Sequence, residues 1–250
     1  MAKRCWKVKQ PCRPPRDPQE SDLKNFQIID RAISSRRSVR AFLDTPVDIA
    51  LVREILQVAS RAPSGTNTQP WKVYVLTGAA KERLSAEIIE TFNDPAKLAQ
   101  HHEEYDYYPS EWVEPFIGRR RKVGFDLYGL LGLGKDDKAG MKAQQARNYH
   151  FFDAPVGMIF TIDRVMGRGS MLDYGMFMEN VMVSAVGHGL ATCAQAAFNQ
   201  FHGIIEKQLG LTPNESVVCG MALGYEDKKA IVNALKTTRV PVDDFVTILS

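Results

Sequence analysis

From Met171 to His188 the chain is apolar or small on nearly every side, with Val181, Met182, Val183 and Ala185 in succession along its later half. A helix without a polar face must be enclosed by other protein surface. The enclosing surface is either the chain's own core or a second subunit, and these residues do not separate the two. Just upstream, Pro155-Val-Gly-Met-Ile-Phe-Thr-Ile162 is an unbroken apolar run of the kind that forms a buried central strand. A layered fold has to be assembled around this pair.

Local patterns supply the other layers. Leu23, Phe26, Ile29 and Ile33 recur at helical spacing from Asp22 and predict a helix that ends at Ser34-Ser35. Asp48 predicts the cap of a second helix carrying Leu51, Ile55, Leu56 and Val58, which stops before Pro63. Trp71-Lys-Val-Tyr-Val-Leu-Thr77 reads as a strand closed by Gly78, with a helix over roughly Ala80 to Phe92. A strand near Leu190–Ala194, a helix near Phe201–Leu209 and a strand over Ser216–Leu223 complete a sheet. Helices and strands do not alternate strictly, so the expected class is α+β rather than doubly wound.

With 250 residues and 44% hydrophobic content the chain is long enough for a full core. A formal net charge of +3 is too small to call for nucleic acid as a partner. No apolar run nears the roughly 20 residues needed to span a bilayer, and the first twenty residues lack the apolar centre of a secretory signal, so a cytoplasmic location is expected. Cys5, Cys12, Cys193 and Cys219 show no metal-like pairing and read as free thiols. Residues 1–20, basic and Pro-rich, read as a disordered tail, leaving 21–250 as one domain.

Two segments carry chemistry. Arg36, Arg37, Ser38 and Arg40 place three guanidinium groups and a hydroxyl within five residues, a donor set suited to a phosphate dianion. In Arg61-Ala-Pro-Ser-Gly-Thr-Asn-Thr-Gln-Pro-Trp71, Asn67 offers an amide with donors and acceptors to a ring edge of alternating C=O and N–H. Gly65 and Pro70 shape a loop that approaches a flat ligand closely.

These two segments resemble the nitroreductase family of FMN flavoproteins, which carry an Arg-x-Ser-x-Arg/Lys element and a Ser-x-x-Asn-x-Gln-Pro-Trp element. Asp153-Ala-Pro-Val-Gly157, Gly187-His-Gly-Leu-Ala-Thr192 and Leu223-Gly-Tyr225 extend the resemblance from about Asp22 toward the C-terminus. It implies a three-layer fold with a central, mostly antiparallel sheet surrounded by helices, and an intertwined homodimer that buries FMN between its subunits. Arg36, Arg37, Ser38, Arg40 and the late Arg239 then hold the ribityl phosphate, while Pro63, Ser64, Gly65 and Asn67 face the ring. Gln195 and Ala196 match the segment near flavin N5, departing from the acidic and glycine-bearing version common in the family. NADH or NADPH delivers hydride to N5 and a nitroaromatic or quinone-like acceptor removes it in ping-pong order, so no protein group is expected to act as acid, base or nucleophile.

The stretch from about 94 to 137 has little core pattern beyond fragments such as Phe125, Leu127, Leu130 and Leu131, and reads as a lid. Tyr105, Tyr108 and Trp112 within it are candidates to enclose a planar acceptor. A second reading within the fold is reductive dehalogenation of halotyrosines, with Glu103 or Glu104, Tyr105 and Lys122 on an amino-acid zwitterion; a third is a non-catalytic flavin-binding redox sensor. His101, His102, Glu103 and Glu104 lack the spacing of a metal site, and none is expected. Gly129-Leu-Leu-Gly-Leu-Gly-Lys135 imitates a P-loop but continues with Asp136 and follows no strand, so it is set aside.

Overall fold

A computed structural model of the chain describes residues 20–249, with side chains from residue 24 onward. Residues 1–19 of the expected tail, Cys5 and Cys12 among them, lie outside the described residues. The chain divides into a unit ending at Ser35 and a unit running from Arg36. In the first, α1 spans Glu20–Ser35, and its Phe26, Ile28, Ile29 and Ile33 are exposed.

The second unit contains α2 (Ile49–Ala59), β1 (Lys72–Leu76), α3 (Gly78–Asn93), α4 (Pro95–Leu98), α5 (Phe116–Leu130), α6 (Lys138–Ala146), β2 (Val156–Asp163), α7 (Arg168–Gly187), β3 (Ala191–Gln195), α8 (His202–Leu209) and β4 (Glu215–Gly224). The strands form one antiparallel sheet in the order β1-β2-β4-β3. β2 is buried through Ile162, as its apolar run requires. Its Val156, Met158, Phe160 and Ile162 pack with Val52 and Ile55 of α2 and Tyr174, Phe177, Val181 and Ala185 of α7. Ile159 faces the other layer, with Leu84 and Ile88 of α3 and Ile204 and Ile205 of α8. The result is the expected α+β sandwich of one sheet between two helical layers. No helix among the described residues is long and apolar enough to cross a membrane.

The second layer approaches the sheet closely at two glycines. A Cβ on Gly157 would lie 2.7 Å from the Phe151 ring, and one on Gly220 would lie 2.3 Å from that of Phe198. These rings stack at 4.6 Å. To bring Phe151 there the backbone takes left-handed values at Phe151, Phe152 and Asp153, with φ of 53°, 53° and 68°. Each such residue costs on the order of 1–2 kcal/mol, offset by the full burial of both phenylalanines.

Three elements differ from expectation. Gly78 opens α3 instead of only closing the strand, because its φ of 47° suits a glycine. The lid contains a regular helix, α5, which buries no residue and includes Gly118, Gly124 and Gly129. These glycines dilute the apolar spacing on which a helix is recognised. α6 was not anticipated; polar in character, it is started by Asp137, whose carboxylate accepts from Gly140 N at 2.8 Å.

β3 pairs only with Gly220–Gly224, and a register shift between Phe160 and Thr161 leaves Val218 unpaired with β2. The start of the lid attaches here. Glu104 Oε2 accepts from Val217 N at 2.7 Å, and the Tyr105 hydroxyl donates to Val218 O at 2.6 Å. Asn199 joins them, accepting from Glu104 N at 3.1 Å and donating to Tyr105 O at 2.9 Å. Arg164 pairs with Glu104 and Glu206, so the cluster Glu104, His202 and Glu206 already holds a cation of its own.

Glu215 lies buried at the start of β4, taking hydrogen bonds from Tyr74 at 2.8 Å, Thr161 at 2.9 Å and Thr212, with Lys72 Nζ at 2.8 Å. Burial pushes its carboxyl up, but these donors outweigh burial and hold it at about 2 against an ordinary 4.5. A depressed carboxylate stabilises the fold fully above its unfolded value and loses that contribution as pH falls toward its folded value. Unfolding free energy measured by denaturant titration should therefore drop by on the order of 3 kcal/mol between pH 4.5 and 2 on account of this group. In Glu215→Gln that part of the slope should vanish.

Candidate functional site

The basic segment lies along the edge of the sheet. Ser38 forms a parallel bridge to Thr192 of β3, and Val39 N donates to Thr192 O at 3.0 Å while the Val39 side chain is buried. In an extended segment side chains alternate. Arg37 and Val39 point one way, and Arg37 binds Glu226 and the Asn233 carbonyl. Arg36, Ser38 and Arg40 alternate with them; burial pushes the Cys193 thiol of β3 up, while Arg40, Ser38 and Arg36 pull it down. Arg36 Nε is also 3.5 Å from Glu179 of α7. Arg37 is thus separated from the other three and its charge is already paired.

Asn233, 4% exposed, fixes this segment in place. Its Oδ1 accepts from Arg40 N at 2.8 Å, and its Nδ2 donates to Ala41 O at 2.8 Å and Asp227 O at 2.9 Å. Sequence reasoning passed over Asn233, since nothing local links positions 193 residues apart.

The loop carrying Asn67 is held by its own backbone and by α7. Asn67 N donates to Ser64 O at 2.9 Å, Gln69 N to Ser64 Oγ at 3.0 Å, and Gly65 N to Asp173 at 3.1 Å. Thr66, Asn67 and Gln69 have φ of 49°, 61° and 49°, turning the loop tightly enough to leave Pro63, Gly65 and Asn67 exposed. Trp71 stacks on Phe177 at 4.8 Å with planes 7° apart, which anchors the end of the loop. The Asn67 amide makes no hydrogen bond among the described residues and is free to meet a ligand. α7 is the element that touches both the loop and the basic segment.

The remaining expected residues are placed differently. The Gln195 side chain turns inward, Nε2 donating to Asn148 O at 2.6 Å, and the whole residue is buried, next to half-buried Ala196. Its Oε1, like the Thr192 hydroxyl, is buried without a partner among the described residues. Arg239 donates to Thr237 Oγ1 at 2.9 Å and lines a cavity with Arg119 and Lys122 of α5, not with Arg36, Ser38 or Arg40. Tyr105 spends its hydroxyl on the sheet, as described above. Tyr108 and Trp112 remain together, their rings 5.6 Å apart, with the Arg120 guanidinium 4.7 Å from the Trp112 ring.

Comparisons with known proteins bear on this arrangement. A profile described as "Nitroreductase family" matches residues 33–225. The chain is 42% identical over 216 residues to a 4-nitrobenzoate reductase of Pseudomonas putida, covering 86% of this chain and 93% of that protein. The FMN and NADPH-dependent nitroreductase NfnB of Sphigopyxis sp. strain HMH superimposes with a TM-score of 0.84 at 37% identity, over 89% of this chain and 99% of that one. The FMN-dependent NfnB of Mycobacterium smegmatis, solved with NADPH, superimposes with a TM-score of 0.85 at 26% identity, over 90% and 100% of the two chains.

The geometry separates scaffold from ligand-facing groups. Asn233→Ala, which strips three hydrogen bonds from a buried position, should lower the unfolding free energy in urea by about 2–3 kcal/mol. Asn67→Gly preserves the left-handed turn and should shift it by less than about 0.5 kcal/mol.

Proposed function

The chain belongs to the nitroreductase family, and from that premise we propose that it is an FMN-dependent NAD(P)H oxidoreductase acting on nitroaromatic or quinone-like acceptors. The observation that carries this reading is the placement of the Arg36–Arg40 segment along β3, Ser38 bridging Thr192, with the Arg37 side chain turned to Glu226 and already paired. The donor set suits the group. Two guanidinium groups and an exposed hydroxyl fit a phosphate dianion, and the unengaged Asn67 amide fits a pyrimidine edge. Arg37 and Tyr105 contribute by fixing their segments, and Pro63, Ser64 and Gly65 shape the ring-facing loop.

FMN held by these residues would supply two-electron hydride chemistry between NADH or NADPH and the acceptor, in ping-pong order. The chain's own residues bind, orient and exclude water. Tyr108 and Trp112, backed by Arg120, form the aromatic surface against which a planar acceptor would lie. The halotyrosine reading is not favoured: Glu104 is bound to Val217 and Arg164, Tyr105 to Val218, and Lys122 to Asp126 at 2.8 Å. None of the three converges on a common ligand.

The working form is proposed to be a homodimer. α7 is not enclosed within one chain; Met171, Leu172 and Met176 are exposed, as are Phe245, Val246, Ile248 and Leu249 near the C-terminus. Apolar surface of this extent calls for a cover, and a second copy supplies it in the family reading. Light scattering of the purified protein should give twice the 28.0 kDa chain mass; a flavin-containing monomer would refute the dimer.

The catalytic reading is tested by colour and turnover. The wild type should purify yellow, bleach with NADPH or NADH under anaerobic conditions and recover on adding a nitroaromatic acid or quinone, through many cycles. Arg36→Ala should retain at least tenfold less flavin, as expected when a charge-assisted hydrogen bond to phosphate is lost. A yellow protein that bleaches once and does not cycle would instead identify a redox sensor.

A further inference from the structure

A cavity of about 370 Å³ is lined by Lys81, Glu82, Ser85 and Ala86 of α3 and by His150 and Asp153 of the turn before β2. None of these residues is among those assigned to the flavin or the acceptor. We propose that Lys81 is a modification site, its amine taking the acyl group of a small acyl phosphate while the Ser85 hydroxyl holds the carbonyl oxygen and His150 receives the proton.

The surroundings of the amine are the first argument. Lys97 stands exposed and paired with Glu90, an arrangement that favours the ammonium form. Lys81 is half-buried, and its Nζ donates to the backbone carbonyl of Ala154. A carbonyl accepts from a neutral amine as readily as from an ammonium, so this contact does not depend on the charge. The Asp153 carboxylate, on the wall of the same cavity, is engaged by Arg147 at 2.7 Å. Burial pushes the Lys81 amine below its ordinary 10.5 and outweighs the opposing pull of Asp153 and Glu82. Glu90 does the reverse at Lys97 and raises it. More of Lys81 is therefore present as the free amine, the form whose lone pair attacks a carbonyl.

A donor without an acceptor is the second. Ser85 is 3% exposed, and its hydroxyl has no hydrogen-bond partner among the described residues. Buried hydroxyls are normally paired. Ser85 follows Lys81 by four residues and so lies on the same face of α3, one turn along, where it can donate to an acyl oxygen being joined to Nζ. Size limits the donor. Drug-sized ligands need roughly 300–1,000 Å³, so this cavity admits a small acyl phosphate whole and leaves most of a coenzyme thioester outside.

In the step, the Nζ lone pair attacks the acyl carbon and an N–C bond forms. The bond from that carbon to the phosphate oxygen breaks, its electron pair leaves with phosphate, and the proton shed by nitrogen passes to the His150 imidazole. Nothing is oxidised or reduced. The product is a neutral amide that offers Ala154 O one N–H where the ammonium offered three.

The test uses full-length flavin-loaded protein and acetyl phosphate. After timed exposure the protein is unfolded, remaining amines are capped with a heavy acetyl reagent, and mass spectrometry reads the light fraction at each lysine. Lys81 should be acetylated at least tenfold faster than Lys97 or Lys229, both of them exposed, although exposure alone predicts the opposite order. His150→Ala and Ser85→Ala should each slow Lys81 at least threefold and leave Lys97 unchanged; Ser85→Ala removes a hydroxyl that makes no hydrogen bond, so the fold does not rely on it. Acetylation of Lys81 no faster than that of Lys97 or Lys229 would overturn the proposal, as would a Lys81 rate unaltered in both variants. Selectivity for Lys81 with acetyl-CoA but not with acetyl phosphate would also overturn it.

Discussion

The side chains of the 36–41 segment owe their direction to buried Asn233 and to the part-exposed pair of Arg37 with Glu226. Extended backbone at a sheet edge is free to slip by one residue, and a slip of one reverses every side chain. Ser38 has only a single bridge to Thr192, too little to set the register alone. Asn233 binds the backbone on both sides of the Arg40–Ala41 junction, and Arg37 ties the opposite face to Glu226. A buried amide with its hydrogen bonds made in one register would leave them unmade in any other, at a cost of about 1–3 kcal/mol for each group left unsatisfied. The arginine paired with Glu226 therefore helps set the direction of the other two.

The stretch from 94 to 137 is built on the opposite principle. Its first residues are locked to the sheet, where Glu104 and Tyr105 occupy the edge that β3 leaves open and cover backbone groups that would otherwise invite another strand. Beyond them α5 buries no side chain and carries three glycines, each worth roughly 1 kcal/mol of helix stability relative to alanine. A tethered base and a lightly held helix mark this stretch as the low-stability end of the described residues.

Much of the fold was legible because its signals are local. The apolar run before Asp163, the Asp48 cap and the β-branched stretch after Trp71 each specify one element without help from distant residues. Arg36, Ser38 and Asn67 stand out as candidates for a related reason: their chemistry is concentrated in short segments. What escaped depends on contacts between distant parts of the chain. Asn233 resembles any loop asparagine until the 36–41 segment is laid beside it. Tyr105 looks like a ligand-facing aromatic until the irregularity at Val218 presents a carbonyl to it. Gln195 turns inward because Asn148 supplies the acceptor, and the polar helix α6 has no apolar stripe by which to be recognised.

One further consequence comes from α7. Asp173 holds Gly65, Phe177 carries Trp71 and Glu179 reaches Arg36, so the two candidate segments are spaced by the rise of a single helix. Six residues from Asp173 to Glu179 amount to about 9 Å along the axis. The helix acts as a ruler. An insertion or deletion within that interval would change the measured length by about 1.5 Å and rotate one mark by about 100° relative to the other, so relatives of this chain should vary freely in lid and loop lengths but hold the count between those two positions constant.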